Sequence, residues 1–158
     1  MSGAIDRFLE AARGVGIEPE VRRFPEGTKT ARDAAAAVGV EVGQIVKSLI
    51  FIGESRPVLA LTSGANRVNE ARLALLAGSP GVRRATPEQA RAATGFAVGG
   101  TPPFGYPEPV RAFCDEDLFA YSRVWAAAGT PDAVFAIEPS ELVRVSGAEV
   151  ARFAADIP

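Results

Sequence analysis

Lys47 lies inside the most apolar stretch of the chain. The run QIVKSLIF, residues 44–51, surrounds it with Ile45, Val46, Leu49, Ile50 and Phe51. It is one of two lysines, with Lys29, in a chain whose other basic residues are all arginine. Strand alternation puts Ile45, Lys47, Leu49 and Phe51 on one face and Val46, Ser48, Ile50 and Ile52 on the other. Such a lysine either snorkels its ammonium to the rim or lines a polar cleft, aimed at an anion or a carbonyl. In the second case a ligand or carboxylate must stand near it, because an unpartnered buried charge costs roughly several kcal/mol. A second stretch, GFAVGGTPPFG at residues 95–105, holds four glycines and two prolines. Paired glycines let backbone approach a ligand closely, Pro102 and Pro103 stiffen the segment after them, and successive N–H groups in such a turn can form an anion-binding nest. A tight connection would use the same residues. The spacing is neither a dinucleotide fingerprint nor a P-loop.

Other residues set limits. The chain has no histidine, which excludes Ser-His-Asp and Cys-His triads and any histidine-bearing zinc site. Chemistry would fall to lysine, carboxylates, hydroxyls, backbone dipoles or the substrate itself, with no cofactor or metal expected. The single cysteine, Cys114 in VRAFCDED, excludes an internal disulfide and reads as a small buried hydrophobe. A net charge of −2 gives no global field for nucleic acid. The local groups Arg22–Arg23, Arg83–Arg84 and Arg91 are either solvated surface or a local patch. No apolar run approaches the roughly 18–20 residues that span a bilayer, and the charged, amphipathic start MSGAIDRFLEAARG does not read as a signal peptide. A cytoplasmic location is expected.

The elements that must position these residues emerge from patterning. The 158 residues, 47% hydrophobic, suit one globular domain over 1–158. Ile5, Phe8, Leu9 and Ala12 mark a first helix, with Ser2 as a possible cap and Gly14 or Gly16 as the stop. EVRRF reads as a strand. TARDAAAAVG predicts a helix over 31–38 between a Thr30 cap and Gly39. QIVKSLIFI and PVLALTS read as strands around a GESR turn. Asn69 caps a helix to about Ala77, with Leu73 and Leu76 inward. TPEQARAATG shows a capping box, Thr86 with Gln89, and Pro87 in the first turn. FAV, VRAFC, RVWAAA and AVFAI read as strands, PSELVRVSG as a helix and AEVARF as a last helix. Together these argue for a mixed α+β domain around an antiparallel or mixed curved sheet tending to a barrel.

A lysine in QIVKSLIF, with VGGTPPFG some fifty residues later, resembles the YbaK/EbsC family, the aminoacyl-tRNA deacylase fold that also occurs as the editing insertion of bacterial prolyl-tRNA synthetases. TARDAAAAVGV, PVLALTSG and GTPDAVFAIEPSELVRVSG match further parts of the family pattern, so the resemblance runs from about Thr30 to Gly147. It implies a trans-editing deacylase that hydrolyses the ester of mischarged tRNA, of tRNA(Pro) type with a small amino acid such as alanine or cysteine. Its partners would be mischarged aminoacyl-tRNA and prolyl-tRNA synthetase; nothing in the residues speaks to oligomeric state. Carried over by position, the implied catalytic set is Lys47, Gly99 and Gly100. Thr101, Pro103, Thr30, Ser48 and Asp132 would stand around the substrate, and Arg83, Arg84 and Arg91 would touch tRNA. Some members carry a histidine or an acid near the closing strand; here Asp132 is the nearest acid. In the family a substrate hydroxyl is thought to orient the attacking water. Two other readings stay open: a non-catalytic tRNA- or nucleotide-binding module of the same fold, and a Schiff-base lysine enzyme.

Overall fold

Helix α1 (Ala4–Gly14) starts the fold by burying its apolar stripe, as its spacing requires: Phe8 and Ala12 are fully inaccessible. The Phe8 ring lies 4.7 Å from that of Phe135 and 5.3 Å from that of Phe104. The computed structural model describes residues 3–25 and 30–156; the expected cap Ser2 lies outside them. β1 (Val21–Arg23) comes next, then α2 (Ala31–Val38), whose first turn is closed by the Thr30 hydroxyl accepting from Asp33 N–H at 3.1 Å. β2 (Val46–Gly53) and β3 (Arg56–Ser63) form the expected hairpin, in the register Lys47↔Thr62 and Ser48↔Leu61. α3 (Glu70–Ala77) is capped by Asn69 and stopped by Gly78.

Then come β4 (Arg83–Arg84) and α4 (Pro87–Thr94). The Thr86–Gln89 box is formed in both directions, at 3.2 and 2.9 Å. Thr86→Ala removes the acceptor for the Gln89 N–H and is expected to cost about 1 kcal/mol, read as a drop of a few degrees in thermal midpoint. An unchanged midpoint would show that the cap contributes nothing here. The chain ends with β5 (Arg111–Asp115), β6 (Val124–Ala127), β7 (Ala133–Ile137), α5 (Pro139–Ser146) and β8 (Glu149–Ala151).

The α+β class is as expected, but the strands divide between two sheets and close no barrel. One sheet has the order β1-β7-β6 and the other β4-β2-β3-β5-β8, with an isolated parallel bridge, Ile45↔Trp125, where they meet. The larger sheet is mixed: β2 runs antiparallel to β3 and β4, whereas β3, β5 and β8 run parallel. The main core lies between the sheets and α1, α4 and α5, with Phe8, Leu61, Phe96, Phe135 and Leu142 in it. A second cluster, with Phe51, Leu73, Phe113 and Phe153, fills the other face of the larger sheet.

Two expected elements take a different form. AEVARF is a short strand, β8, because Glu149–Ala151 pairs with the edge of β5; its helix-favouring composition yields to that tertiary pairing. FAV is a turn: Phe96 sits in the main core, while Ala97 and Val98 are exposed and lead into the glycine loop.

Candidate active site

The two sheets part on the Ser48 side of β2 and leave a cleft of about 430 Å³. One wall is β2 itself, from Val46 to Ile50. The opposite wall carries Val98, Gly99 and Thr101 from the glycine loop, Trp125 and Ala126 from β6 close the inner end, and Arg84 lines the β4 side. Residues Thr30 and Ala31 bring the start of α2 to the same space.

Among the described residues no strand pairs with the Ser48 stretch of the β2 edge along this wall. Ile50 turns its carbonyl toward β4, where it accepts from Ala85 N–H at 2.9 Å. Backbone direction alternates along a strand, so the N–H and C=O of Ser48 point the same way. Here β4 pairs with Phe51 and Ile52, and the sheet containing β6 bridges to this strand at Ile45–Trp125. Neither strand reaches Ser48. The Ser48 hydroxyl is also buried with no hydrogen-bond partner among the described residues, an arrangement that costs about 1–3 kcal/mol when left unmade.

Lys47 lines the cleft and is half-buried. Its ammonium donates to the carbonyl of Asn66, in the loop after β3, at 2.6 Å. Burial, then the charges of Arg84 and Arg67, hold its pKa below the ordinary lysine value, while Asp115 acts the other way. The proton is therefore held less tightly than on a solvated lysine.

The glycine loop is braced from behind. Gly100 N–H donates to Ala97 carbonyl at 3.1 Å, Thr101 hydroxyl to the same carbonyl at 3.1 Å, and Tyr106 hydroxyl to Pro102 carbonyl at 2.7 Å. Gly129 N–H donates to Gly100 carbonyl at 3.0 Å. Gly99 has φ +90°, a conformation that favours glycine, and it faces the cleft. Gly100 is buried and does not line it; a Cβ there would meet Thr130 Cα at 2.7 Å and the Gly129 carbonyl oxygen at 2.8 Å. The need for glycine at 100 is thus backbone packing, in place of the close ligand approach that the paired glycines suggest.

The structure brings Lys47, Ser48, Thr30, Gly99, Thr101 and Arg84 to one cleft. It leaves Pro103 buried on the far side of the loop, and Asp132 in the β6–β7 turn outside the lining. Asp132 accepts from the Thr130 hydroxyl and pairs with Arg23 at 2.9 Å; both hold its carboxyl below the usual range, the Thr130 bond first. Arg83, bonded to Gln89 at 3.2 Å, and Arg91 are exposed on the β4–α4 flank of the cleft. Cys114 is fully buried, its thiol pushed up to about 12 by burial, and has no reactive role at neutral pH.

Sequence reasoning missed Trp125 and Val98. Trp125 is packed under two guanidinium groups, Arg22 at 5.5 Å and Arg123 at 5.4 Å from its ring. Val98 is an exposed apolar residue at the cleft lip. The one signal for Trp125 was its place in RVWAAA as the chain's single tryptophan.

A cleft walled by a strand edge that no described strand covers at Ser48, a half-buried lysine and a braced glycine loop is the candidate site of this α+β scaffold. Residues 25–145 match the model of the aminoacyl-tRNA editing domain, and the chain belongs to that family. A solved structure described as a proposed trans-editing enzyme for prolyl-tRNA synthetase superposes with a TM-score of 0.91 at 46% identity, covering 99% of each chain. A proline–tRNA ligase of Nitratidesulfovibrio vulgaris is 38% identical over 92 residues, 58% of this chain; that span is 16% of the ligase. The uncharacterised protein YwhH of Bacillus subtilis is 28% identical over 134 residues, covering 84% of this chain and 85% of that one. Among the described residues no helix is long and apolar enough to cross a membrane.

Proposed function

We propose that the cleft hydrolyses the ester joining a wrong amino acid to the terminal adenosine of tRNA, with the chain acting in trans. The observation that carries this reading is Lys47: a half-buried lysine that lines the same cleft as Gly99 and Thr101 of the glycine loop, in a chain of the aminoacyl-tRNA editing family.

Water adds to the ester carbonyl carbon, negative charge builds on the carbonyl oxygen, and the C–O bond to the ribose breaks as the ribose oxygen takes up a proton. Lys47 gives one N–H to Asn66, and an ammonium has three. The other two can reach the carbonyl oxygen or an adenosine phosphate. A well-placed donor to the developing oxyanion lowers the barrier by about 2.7–4 kcal/mol. On the facing wall Gly99 and Thr101 hold the acyl group, while Gly100 keeps that wall against the β6–β7 turn. The open edge and hydroxyl of Ser48 supply donors and an acceptor for the amino acid's polar groups, and Thr30 closes the α2 side. A substrate hydroxyl can orient the water, so the mechanism requires no protein histidine.

The acyl group in this reading is a small one such as alanyl or cysteinyl, as the family resemblance implies. Size discrimination by such pockets is worth about 1–3 kcal/mol per methylene. The likeness to prolyl-tRNA ligases supports tRNA(Pro) as carrier and prolyl-tRNA synthetase as a partner in the cytoplasm. Incubation with a panel of misacylated tRNAs tests the reading: hydrolysis of at least one small-acyl species is expected. Binding without turnover of any species would favour the non-catalytic module instead.

Arg83, Arg84 and Arg91 offer local positive charge on one flank of the cleft in a chain of net charge −2. Replacing all three is expected to weaken tRNA binding and to flatten its salt dependence by roughly one unit of slope per lost phosphate contact. Hydrolysis of a minimal aminoacyl-adenosine ester should be spared for Arg83 and Arg91. Normal tRNA binding by the triple variant at every salt concentration would mark the patch as plain surface.

A further inference from the structure

Behind Lys47 lies a set of polar residues that the hydrolysis scheme does not use. β3 and β5 run parallel, with Leu61 opposite Cys114, so the segments leaving their C-terminal ends meet. There Asn66 donates its side-chain amide to two carboxylates, Asp115 Oδ2 at 2.9 Å and Asp117 Oδ2 at 2.8 Å. Asp115 is 1% exposed. Its carboxylate also accepts from Ser63 N–H and from Asp117 N–H, each at 3.0 Å. Asn66 N–H is tied to the Ser63 carbonyl at 2.9 Å. Amide side chain and backbone N–H are thus both fixed, and the Asn66 carbonyl, set in place by them, receives the Lys47 ammonium.

We propose that Asp115 is a positioning residue for the cleft: by clamping the Asn66 side chain it fixes the backbone carbonyl that aims Lys47. The proposal rests on the reading that Lys47 serves ester hydrolysis, but the clamp itself does not. A carboxylate kept only to cap the short 3-10 turn Glu116–Ala120 would need just its bond to Asp117. Asp115 spends its other oxygen on Ser63 and Asn66, and among the described residues it forms no ion pair. Its charge acts on Lys47 across the Asn66 peptide unit. The groups facing Lys47 are Arg84 from β4, Arg67 from the loop after β3 and Asp115 from the end of β5. Asp115 is the one that offsets the two arginines.

The test uses Asp115→Asn in the full chain, with lysine labelled at Cε for NMR. The chain has two lysines, so Lys47→Arg assigns the signals. Lys47 is expected to titrate at lower pH in Asp115→Asn than in wild type, because the offsetting charge is gone. In deacylation, corrected for the uncatalysed rate, kcat should fall roughly tenfold to a hundredfold, the usual result of a small displacement of a reacting group. KM should stay within about twofold, and the alkaline limb should move in the same direction as the NMR titration. Asn66→Ala, in a half-buried loop, keeps the carbonyl but removes its clamp, and should also lower kcat. A Lys47 titration and kcat unmoved in both variants overturn the proposal. A Lys47 titration shifted in Asn66→Ala as well, where the Asp115 charge is kept, in a protein whose wild type hydrolyses no aminoacyl ester upholds the clamp and sinks the deacylase reading.

Discussion

Lys47→Ala is expected to leave a folded protein with little or no deacylase activity. Loss of one oxyanion donor corresponds to about a hundredfold to a thousandfold in rate, and the glycine-loop wall cannot replace it. The fold should survive because the lysine contributes little to stability. Its pKa is lowered in the folded state, by burial first and by Arg84 and Arg67 next, so the unfolded chain binds that proton more tightly. Charged Lys47 therefore opposes folding at neutral pH, and this opposition fades as pH rises through the folded value toward the ordinary lysine value. Removing it offsets the lost bond to Asn66. Thermal melting near neutral pH should show the variant within a few degrees of wild type. Near-wild-type turnover in a folded Lys47→Ala protein would sink the assignment.

The second large effect is expected at Gly100, and it falls on stability. A valine there drives its Cβ into Thr130 Cα and the Gly129 carbonyl, at 2.7 and 2.8 Å. These are backbone atoms and cannot rotate aside. Gly129 is in turn held by α1: a Cβ at 129 would meet the Ala4 carbonyl oxygen at 2.7 Å. The three segments are stacked backbone to backbone, so overpacking should cost at the upper end of about 1–3 kcal/mol, with a midpoint drop on the order of 5–10 °C. Gly99→Ala is the control. Its Cβ would find Pro131 at an ordinary 3.7 Å, but its φ of +90° carries a strain of about 1–2 kcal/mol and its position alters the cleft wall. If Gly100→Val melts with wild type and loses only turnover, the glycine serves the ligand and the packing account is wrong.

The local devices were legible because local chemistry sets them. Thr30, Asn69 and the Thr86–Gln89 box cap the helices they mark, and the hairpin arises from its apolar runs and turn. Lys47 stood out because a charge in an apolar strand needs a reason. The illegible features depend on pairing across the chain. The division into two sheets rests on strands far apart in sequence, such as β1 with β7. β8 is a strand only because β5 offers it an edge. CDED drew notice for its cysteine, while the carboxylate beside it holds the network under Lys47. That role emerges only when parallel pairing brings the end of β5 to the end of β3. The burial of Gly100 was likewise invisible, since nothing in VGGTPP shows that Gly129 lies against it.

The central claim is that Lys47 acts on an aminoacyl ester bound in this cleft. Single-turnover hydrolysis of alanyl-tRNA(Pro) and cysteinyl-tRNA(Pro), with prolyl-tRNA(Pro) as control, by wild type and Lys47→Ala side by side tests it most directly. The account predicts that wild type cleaves at least one of the mischarged species faster than the prolyl control, and that the variant slows this by at least about a hundredfold. Equal rates for the two proteins, or no hydrolysis by wild type above the uncatalysed rate, would contradict it.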